Sequence, residues 1–238
     1  MRPALFLLTL LMSLVLLAGC RQPGEWHQFE GVALGTGYHI TLNGDLDEEQ
    51  RLLLQAAIQG ELASLDTEHA ALARLLAAGR LPGRDWPAYA GVSGYLREVL
   101  HARAVDRLDR VLGEFAVAHG MIELGGVIRT RGMAGRHPWR VTLPHTGLAD
   151  APDLRLRLQD SALVSRSAAE PGGEAPAPTR LLAVSVVASS AEAAERLARE
   201  LLAADPDAIT EQPARLVVLT PQGIELVTGS SLEPLLER

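Results

Sequence analysis

The chain combines segments of helical periodicity with short strands that alternate apolar and polar residues. Apolar residues recur at three- and four-residue steps over 53–65, 105–115 and 194–201. This spacing places them on one face of a helix, so the sequence predicts three amphipathic helices in these regions. A further helix is predicted to begin near Ser93.

Turn-forming and capping residues mark where these helices begin and end. Residues 43–45 (Asn-Gly-Asp) have turn chemistry, and helical spacing starts directly after them, at Asp47. Gly120 follows the second stripe at a position typical of a helix C-cap. Ser189, three residues before Glu192, matches a capping box for the third helix.

Residues 121–131 predict a strand that two adjacent glycines, Gly125 and Gly126, interrupt. Glycine inside a strand marks either a β-bulge or a backbone that another group approaches closely, and both interpretations remain open. The last two predicted strands form a hairpin through residues 221–223. The full set of other predicted strands is 35–42, 139–143, 154–158, 161–167, 181–188, 215–220 and 223–228.

This mixture predicts an α+β fold, a single domain with mixed or antiparallel sheets and packed helices. The 238 residues contain no internal repeat. Residues 31–238 are assigned to the domain, with a Pro-, Gly- and Ala-rich loop at 170–180 that is expected to have little fixed structure.

The first twenty residues have the pattern of an export signal. One arginine precedes a long apolar run, which ends in Leu-Ala-Gly before Cys20. These four letters resemble the lipobox of bacterial lipoproteins, which implies that residues 1–19 are removed, Cys20 carries a lipid and residues 20–30 form a tether. Arg21 in place of Asp favours the outer membrane, facing the periplasm. An uncleaved membrane anchor is the alternative.

Composition excludes several kinds of site. Cys20 is the single cysteine, which excludes a disulfide framework and any zinc site built from thiolates. The net charge is −7 and the arginines are scattered along the sequence, so we do not expect binding to nucleic acid. The seven histidines show no spacing that would place two metal ligands on one helix face.

Six fragments give the chain a recognisable order of motifs. In sequence they are "GVALGTGYHI", "ARAVDRLDRVL", "IELGGVIRTRG", "HPWRVTL", "LLAVSVVASSAEAAERLARELL" and "LVVLT". This order resembles the FAD:protein FMN transferases, the ApbE family. The resemblance implies a protein that cleaves FAD with Mg²⁺ and attaches the FMN half, through a phosphoester, to a Thr or Ser of an exported or membrane flavoprotein.

The resemblance also implies a cofactor site. Gly125 and Gly126 occupy the family's paired glycines, which let the backbone lie close to the flavin dinucleotide, and Asp106 occupies the Asp of A-V-D-R. An alternative for Asp106 is a surface ion pair with Arg103 or Arg110 at helical spacing.

Several family motifs are replaced in this chain. The metal-binding H-x-x-D-P-x-T-G motif aligns with residues 174–180, where only Thr179 could remain as an oxygen ligand. Glu195 stands at the aspartate of A-D-A-L-A-T-A-L, but Arg199 replaces its threonine. His101-Ala102-Arg103 replaces K-G-Y, and residues 65–70 replace a flavin-contacting segment.

These changes leave three functions open, and the sequence does not decide whether the protein is an enzyme. It is either an active transferase that uses FAD and Mg²⁺, a non-catalytic envelope lipoprotein acting as a partner or scaffold, or a flavin-binding protein without transfer activity. If metal binds, Thr179 and Glu195 are the candidate ligands.

Overall fold

A computed structural model describes residues 24–78, 89–143, 154–168, 180–204 and 211–237. The predicted leader with Cys20, and Thr179 with most of the predicted loop at 170–180, lie outside the described residues.

The described residues form ten β-strands and three α-helices, which confirms the α+β prediction. The helices are α1 (Glu48–Ala77), α2 (Tyr89–Glu114) and α3 (Ala191–Leu202), and a 3₁₀ turn lies at Glu233–Leu235. The strands are β1 (Trp26–Ala33), β2 (Thr36–Asn43), β3 (Gly120–Leu124), β4 (Val127–Arg131), β5 (Trp139–Leu143), β6 (Leu154–Leu158), β7 (Ala162–Ser167), β8 (Arg180–Ala188), β9 (Ala214–Thr220) and β10 (Gly223–Thr228).

Eight strands form one sheet in the order β1-β2-β3-β4-β7-β8-β9-β10. Every neighbouring pair in this sheet is antiparallel. The remaining strands, β5 and β6, pair with each other as a separate antiparallel sheet inserted between β4 and β7. Trp26 pairs with Asn43, so β1 begins inside the segment that the sequence assigned to the tether.

The main sheet is covered on both faces. The three helices bury one face, and the large side chains of this core are fully buried because each helix presents one apolar stripe. Burying one leucine side chain in this core contributes about 2 kcal/mol to folding. A smaller cluster joins the β5–β6 strands to the opposite face; its buried members are Val141, Leu143, Leu156, Leu158, Leu163, Val187 and Leu232.

The second helix is longer than predicted, and it ends earlier. A single helix from Tyr89 to Glu114 contains both the segment near Ser93 and the stripe at 105–115, up to its last residue. Gly120, predicted as its C-cap, is instead the first residue of β3. The helix ends in a Schellman arrangement, in which Val117 N–H bonds Leu112 C=O and Ala116 N–H bonds Gly113 C=O.

The predicted strand at 121–131 is two strands. Leu124 pairs with Val127, so Gly125 and Gly126 form the two-residue turn of a hairpin. Both have positive φ, +57° and +77°, as a type I′ turn requires. The prediction of one strand was wrong because two adjacent glycines between β-forming runs, both able to adopt positive φ, favour a two-residue hairpin turn over a continuous strand.

Within the described segments, no helix has an apolar stretch long enough to cross a bilayer.

The end of α2 provides a test of the backbone assignment. Ala116 is exposed and has φ +56°, a left-handed conformation in which a Cβ costs free energy. We expect Ala116→Gly to raise the free energy of unfolding by about 0.5–1 kcal/mol, measured by urea denaturation.

The matched control is Ala70→Gly, an exposed position in the middle of α1. Here the same change should lower stability by about 1 kcal/mol, because glycine is unfavourable in a helix interior. If both substitutions raised the free energy of unfolding, or both lowered it, the result would contradict the Schellman ending of α2.

Candidate functional site

Two tight turns lie side by side at one end of the main sheet. One joins β1 to β2 through Leu34 (φ +52°) and Gly35 (φ +76°), and the other is the Gly125–Gly126 turn. They are neighbours because β2 pairs with β3, with Tyr38 opposite Leu124. This end of the sheet therefore contains the paired glycines of the predicted cofactor site.

His101 of α2 fills the space between the two turns. Its Nε2–H donates to the Leu34 carbonyl at 3.1 Å, and only 6% of the residue is exposed. A Cβ on Gly125 would lie 2.2 Å from His101 Nδ1, so no side chain fits there. The group that approaches the glycine backbone is this imidazole, and the β-bulge interpretation was wrong.

The surroundings of His101 favour the neutral form of its ring. Burial lowers the pKa of His101, and the Arg166 and Arg97 charges lower it further, against the raising effect of the Leu34 carbonyl. A backbone hydrogen bond with Gly125 also raises the pKa of His101, by less than the Leu34 carbonyl does. His101 therefore acts here as a buried spacer between two backbone turns.

Asp106 lies on α2 but caps α3. Its two carboxylate oxygens accept the backbone N–H groups of Ala191 and Glu192, each at 2.9 Å. Ser190 is the N-cap residue and accepts from Ala193 N–H at 3.2 Å. The predicted cap at Ser189 was therefore one residue early.

The alternative ion pairs for Asp106 are not formed. Arg103 instead lies 3.6 Å from a Glu68 oxygen, in a contact between α2 and α1, and Arg110 is exposed. Asp106 thus has a role that neither the cofactor interpretation nor the ion-pair interpretation gave it. Its negative charge lies at a helix N-terminus, where the helix dipole favours it.

Glu195, a predicted metal ligand, is the buried centre of an ion cluster formed by Glu98, Arg166, Glu195 and Arg199. An Arg166 Nη2 lies 2.6 Å from Glu195 Oε2, and Arg199 Nε lies 3.6 Å from Oε1. The side chains of Arg166 and Glu195 are 5% and 1% exposed, whereas that of Glu98 is half-exposed. Burial raises the pKa of Glu98, and the nearby Glu195 charge raises it further, while Arg166 opposes this.

The ion cluster is a poor site for Mg²⁺. Neither Glu195 oxygen accepts a well-aligned hydrogen bond, so lone pairs are available. Two guanidinium groups already face that carboxylate, however, and their charges oppose a divalent cation. Mg²⁺ also requires several oxygen ligands in octahedral geometry. In the described part of the chain, no group of three acidic, His or Cys side chains could hold a metal ion. The described residues at this site do not fit the metal.

The segment at 65–70 has structural contacts. Leu65 is fully buried in the core, and Asp66 Oδ1 accepts the Leu34 N–H at 3.2 Å. Glu68 accepts from Arg107 Nη1 at 2.7 Å, and Glu61 also pairs with that arginine. This segment thus holds the β1–β2 turn and packs α1 against α2.

The structure brings some of the predicted residues together. Gly126 lies beside Arg166, since a Cβ there would be 3.7 Å from Nη1, and Arg166 contacts Glu195. Asp106 of α2 contacts the start of α3, one helical turn before Glu195. Arg166 was not among the predicted site residues. The alternation of β7 could have found it, because Ala162 and Val164, on the same face, are buried in the helix-covered core.

The fold of the described residues is that of the flavin transferases. The chain resembles the flavin transferase ApbE from Vibrio cholerae, with a TM-score of 0.65 and 17% identity over 90% of this chain and 100% of that one. Flavinyl transferase ApbE from Pseudomonas stutzeri, apo form, gives 0.65 and 15%, over 91% and 98%. The apbe protein from Thermotoga maritima gives 0.57 and 13%, over 90% and 100%.

The family itself follows from the sequence match. A family model described as the ApbE family matches residues 99–218, about half of the chain. This chain belongs to the ApbE family. No curated protein sequence matches it.

The capping role of Asp106 predicts a loss of stability. Asp106→Ala leaves two N–H groups of α3 without an acceptor, so we expect the free energy of unfolding to fall by about 1–2 kcal/mol in urea. Arg110→Ala, an exposed change on the same helix, is the control and should have no effect beyond about 0.5 kcal/mol. An unchanged Asp106→Ala protein would remove the capping role.

The ion cluster predicts strong coupling between Arg166 and Glu195. We expect Arg166→Met to cost about 3–5 kcal/mol, because it leaves a buried carboxylate with one fewer counter-ion. Adding Glu195→Leu to that variant should restore part of the loss, giving a large coupling energy in a double-mutant cycle.

Arg196 and Glu200 on the same helix provide a matched control. Their side chains are 72% and 64% exposed and 4.0 Å apart, so their coupling should be at most about 0.5 kcal/mol. Equal coupling in the two pairs would show that burial does not strengthen the Arg166–Glu195 contact.

Proposed function

We propose that this chain is a flavin-transferase-like envelope lipoprotein that has lost magnesium-dependent FMN transfer and acts as a non-catalytic partner of another envelope protein. The proposal rests on ApbE family membership for the fold and on the ion cluster for the loss of activity. Its membrane attachment follows from the lipobox resemblance at Cys20.

One observation carries the loss of metal dependence: Arg166 occupies the space next to Glu195. In phosphoryl transfer a cation neutralises charge that builds on the phosphate oxygens. Here Arg166 Nη2 lies 2.6 Å from Glu195 Oε2, so a group of the protein itself already neutralises the carboxylate. Arg166 on β7 is held against Glu195 on α3. It cannot move toward a phosphate group, because that movement would leave the buried charge of Glu195 without its counter-ion.

The flavin side of the site supports the same proposal. The backbone space at Gly125 is filled by His101, and the carboxylate of Asp106 is occupied by two N–H groups of α3. Two of the three residues that the resemblance assigned to the cofactor, Gly125 and Asp106, thus have structural partners inside the protein. Gly126 has φ +77°, which the hairpin turn requires, so selection for folding alone accounts for all three positions.

A titration with FAD tests the proposal directly. The predicted mature chain, from residue 20 with Cys20→Ser, contains every described residue and is titrated with FAD, with and without Mg²⁺. A ligand that binds only the native state at a hundredfold excess over its Kd raises stability by about 2.7 kcal/mol. We expect no Mg²⁺-dependent rise in Tm and no release of AMP or FMN from FAD.

The transferase from Vibrio cholerae, assayed in parallel, shows that the conditions support catalysis. Release of AMP by this chain would overturn the proposal and restore the active transferase. Saturable binding of FAD that is independent of Mg²⁺ and gives no products would replace the partner role with flavin binding.

A further inference from the structure

The outer face of the β5–β6 hairpin carries a concentration of positive charge. Arg140 and Arg157 are opposite each other across the two strands, and Arg155 lies opposite Thr142. All these side chains are on the exposed face, because the alternate positions pack against the main sheet. The exposed Arg136 lies in the turn before β5. Arginines that are scattered in the sequence thus converge on one surface of an acidic protein.

A cavity of about 310 Å³ lies on this surface, lined by His137, Pro138, Arg140, Arg157 and Glu237. Its size exceeds that of a single phosphate group and falls at the lower end of small-molecule sites. Guanidinium groups bind phosphate oxygens in bidentate geometry, so two of them across one cavity suit a phosphate ester.

The charges in the cavity do not cancel. Glu237 Oε1 pairs with Arg140 Nε at 2.7 Å, which neutralises one guanidinium. Arg157 has no carboxylate partner among the described residues, and neither does Arg155. Arg140 and Arg157 are directly opposite on paired strands, and Glu237 offsets the charge of only one of them. An anion next to Arg157 would therefore reduce the remaining positive charge.

An exposed tryptophan lies beside this surface. The indole of Trp26 is 5.9 Å from that of Trp139, edge to face, and Trp26 is 51% exposed. Trp139 directly follows Pro138 of the cavity, but its indole is on the buried face of β5, so Trp26 lies at the edge of the hairpin and not on its arginine face. Tryptophan with one wet and one apolar side is typical of membrane interfaces.

The predicted lipid anchor ends close to the same place. Cys20 precedes Trp26 by six residues, which extend at most about 20 Å. The start of β1, and with it the hairpin, is therefore confined to the neighbourhood of the bilayer surface in a lipidated chain. This step rests on the lipoprotein part of the proposed function.

We propose that the outer face of the β5–β6 hairpin is the membrane-facing surface of this protein and that its cavity, between Arg140 and Arg157, binds the phosphate of an anionic phospholipid headgroup. The three helices, on the opposite side of the main sheet, then face away from the bilayer.

Vesicle binding tests the surface without the anchor. The Cys20→Ser chain from residue 20 is mixed with vesicles of phosphatidylcholine, with or without phosphatidylglycerol, and co-sedimentation is measured. We expect binding only with phosphatidylglycerol and a loss of binding as salt rises. Each arginine near an anionic bilayer is worth about fivefold in affinity, so Arg157→Gln should weaken binding about fivefold.

Arg196→Gln is the matched control, an exposed arginine on α3 across the sheet, and should bind as the parent does. Circular dichroism confirms that both variants fold. Equal effects of the two changes, or no binding to either vesicle, would overturn the proposal.

A titration with inorganic phosphate distinguishes a phospholipid headgroup from a soluble phosphate ester as the ligand of the cavity. Stabilisation by free phosphate that Arg157→Gln abolishes, without vesicle binding, would identify a soluble phosphate ester as the ligand and overturn the membrane orientation. Because none of these measurements uses FAD or Mg²⁺, an active transferase would leave their outcome unchanged.

Discussion

The carboxylate of Asp106 fixes the relation between two helices on which the rest of the site depends. A single side chain on α2 accepts the first two N–H groups of α3, so the start of α3 cannot slide along α2. Helix α3 packs on β7 and β8. Its Glu195 faces β7 and contacts Arg166 on the buried face of that strand. The position of the ion pair is therefore set by a hydrogen-bonded cap one turn away. Polar groups buried in this way specify one arrangement of helices, because every alternative leaves them without partners.

The electrostatics of the site follow from that arrangement. A buried carboxylate must have counter-charge, which a bound cation or a neighbouring guanidinium can provide. In this chain the second solution is built in, since Arg166 and Arg199 both face Glu195. Glu195 provides a carboxylate at the position that the resemblance assigned to a metal ligand, and its two arginine neighbours determine its chemistry. Membership in the ApbE family therefore describes the scaffold, while the neighbouring arginines decide what Glu195 can bind.

Most of the secondary structure could be predicted from periodicity, because strands such as 139–143 and 154–158 have one wet face and the helices have clear stripes. The errors lie where local chemistry decides: Gly125 and Gly126 formed a turn, Ala116 ended a helix without glycine, and Ser190 capped α3. The site was less accessible to prediction. Gly126 and Glu195 do lie near one another, but contacts such as Asp106 with Ala191, or His101 with Gly125, join positions far apart in sequence. No local pattern encodes these contacts, and residue identity alone cannot reveal whether a carboxylate faces a metal, a helix end or an arginine.

The inserted hairpin has a consequence for how the chain folds. The two halves of the main sheet meet only at β4 and β7, through three paired positions, Val127–Arg129 with Ala162–Val164. These partners are separated in sequence by the whole β5–β6 insertion, so their pairing closes a long loop. The entropic cost of closing this loop must be offset by contacts that form later. The tight hairpins within each half close over two residues and form quickly by comparison. The rate-limiting event in folding should therefore be the docking of the two halves, with α2 and α3 laid across their junction.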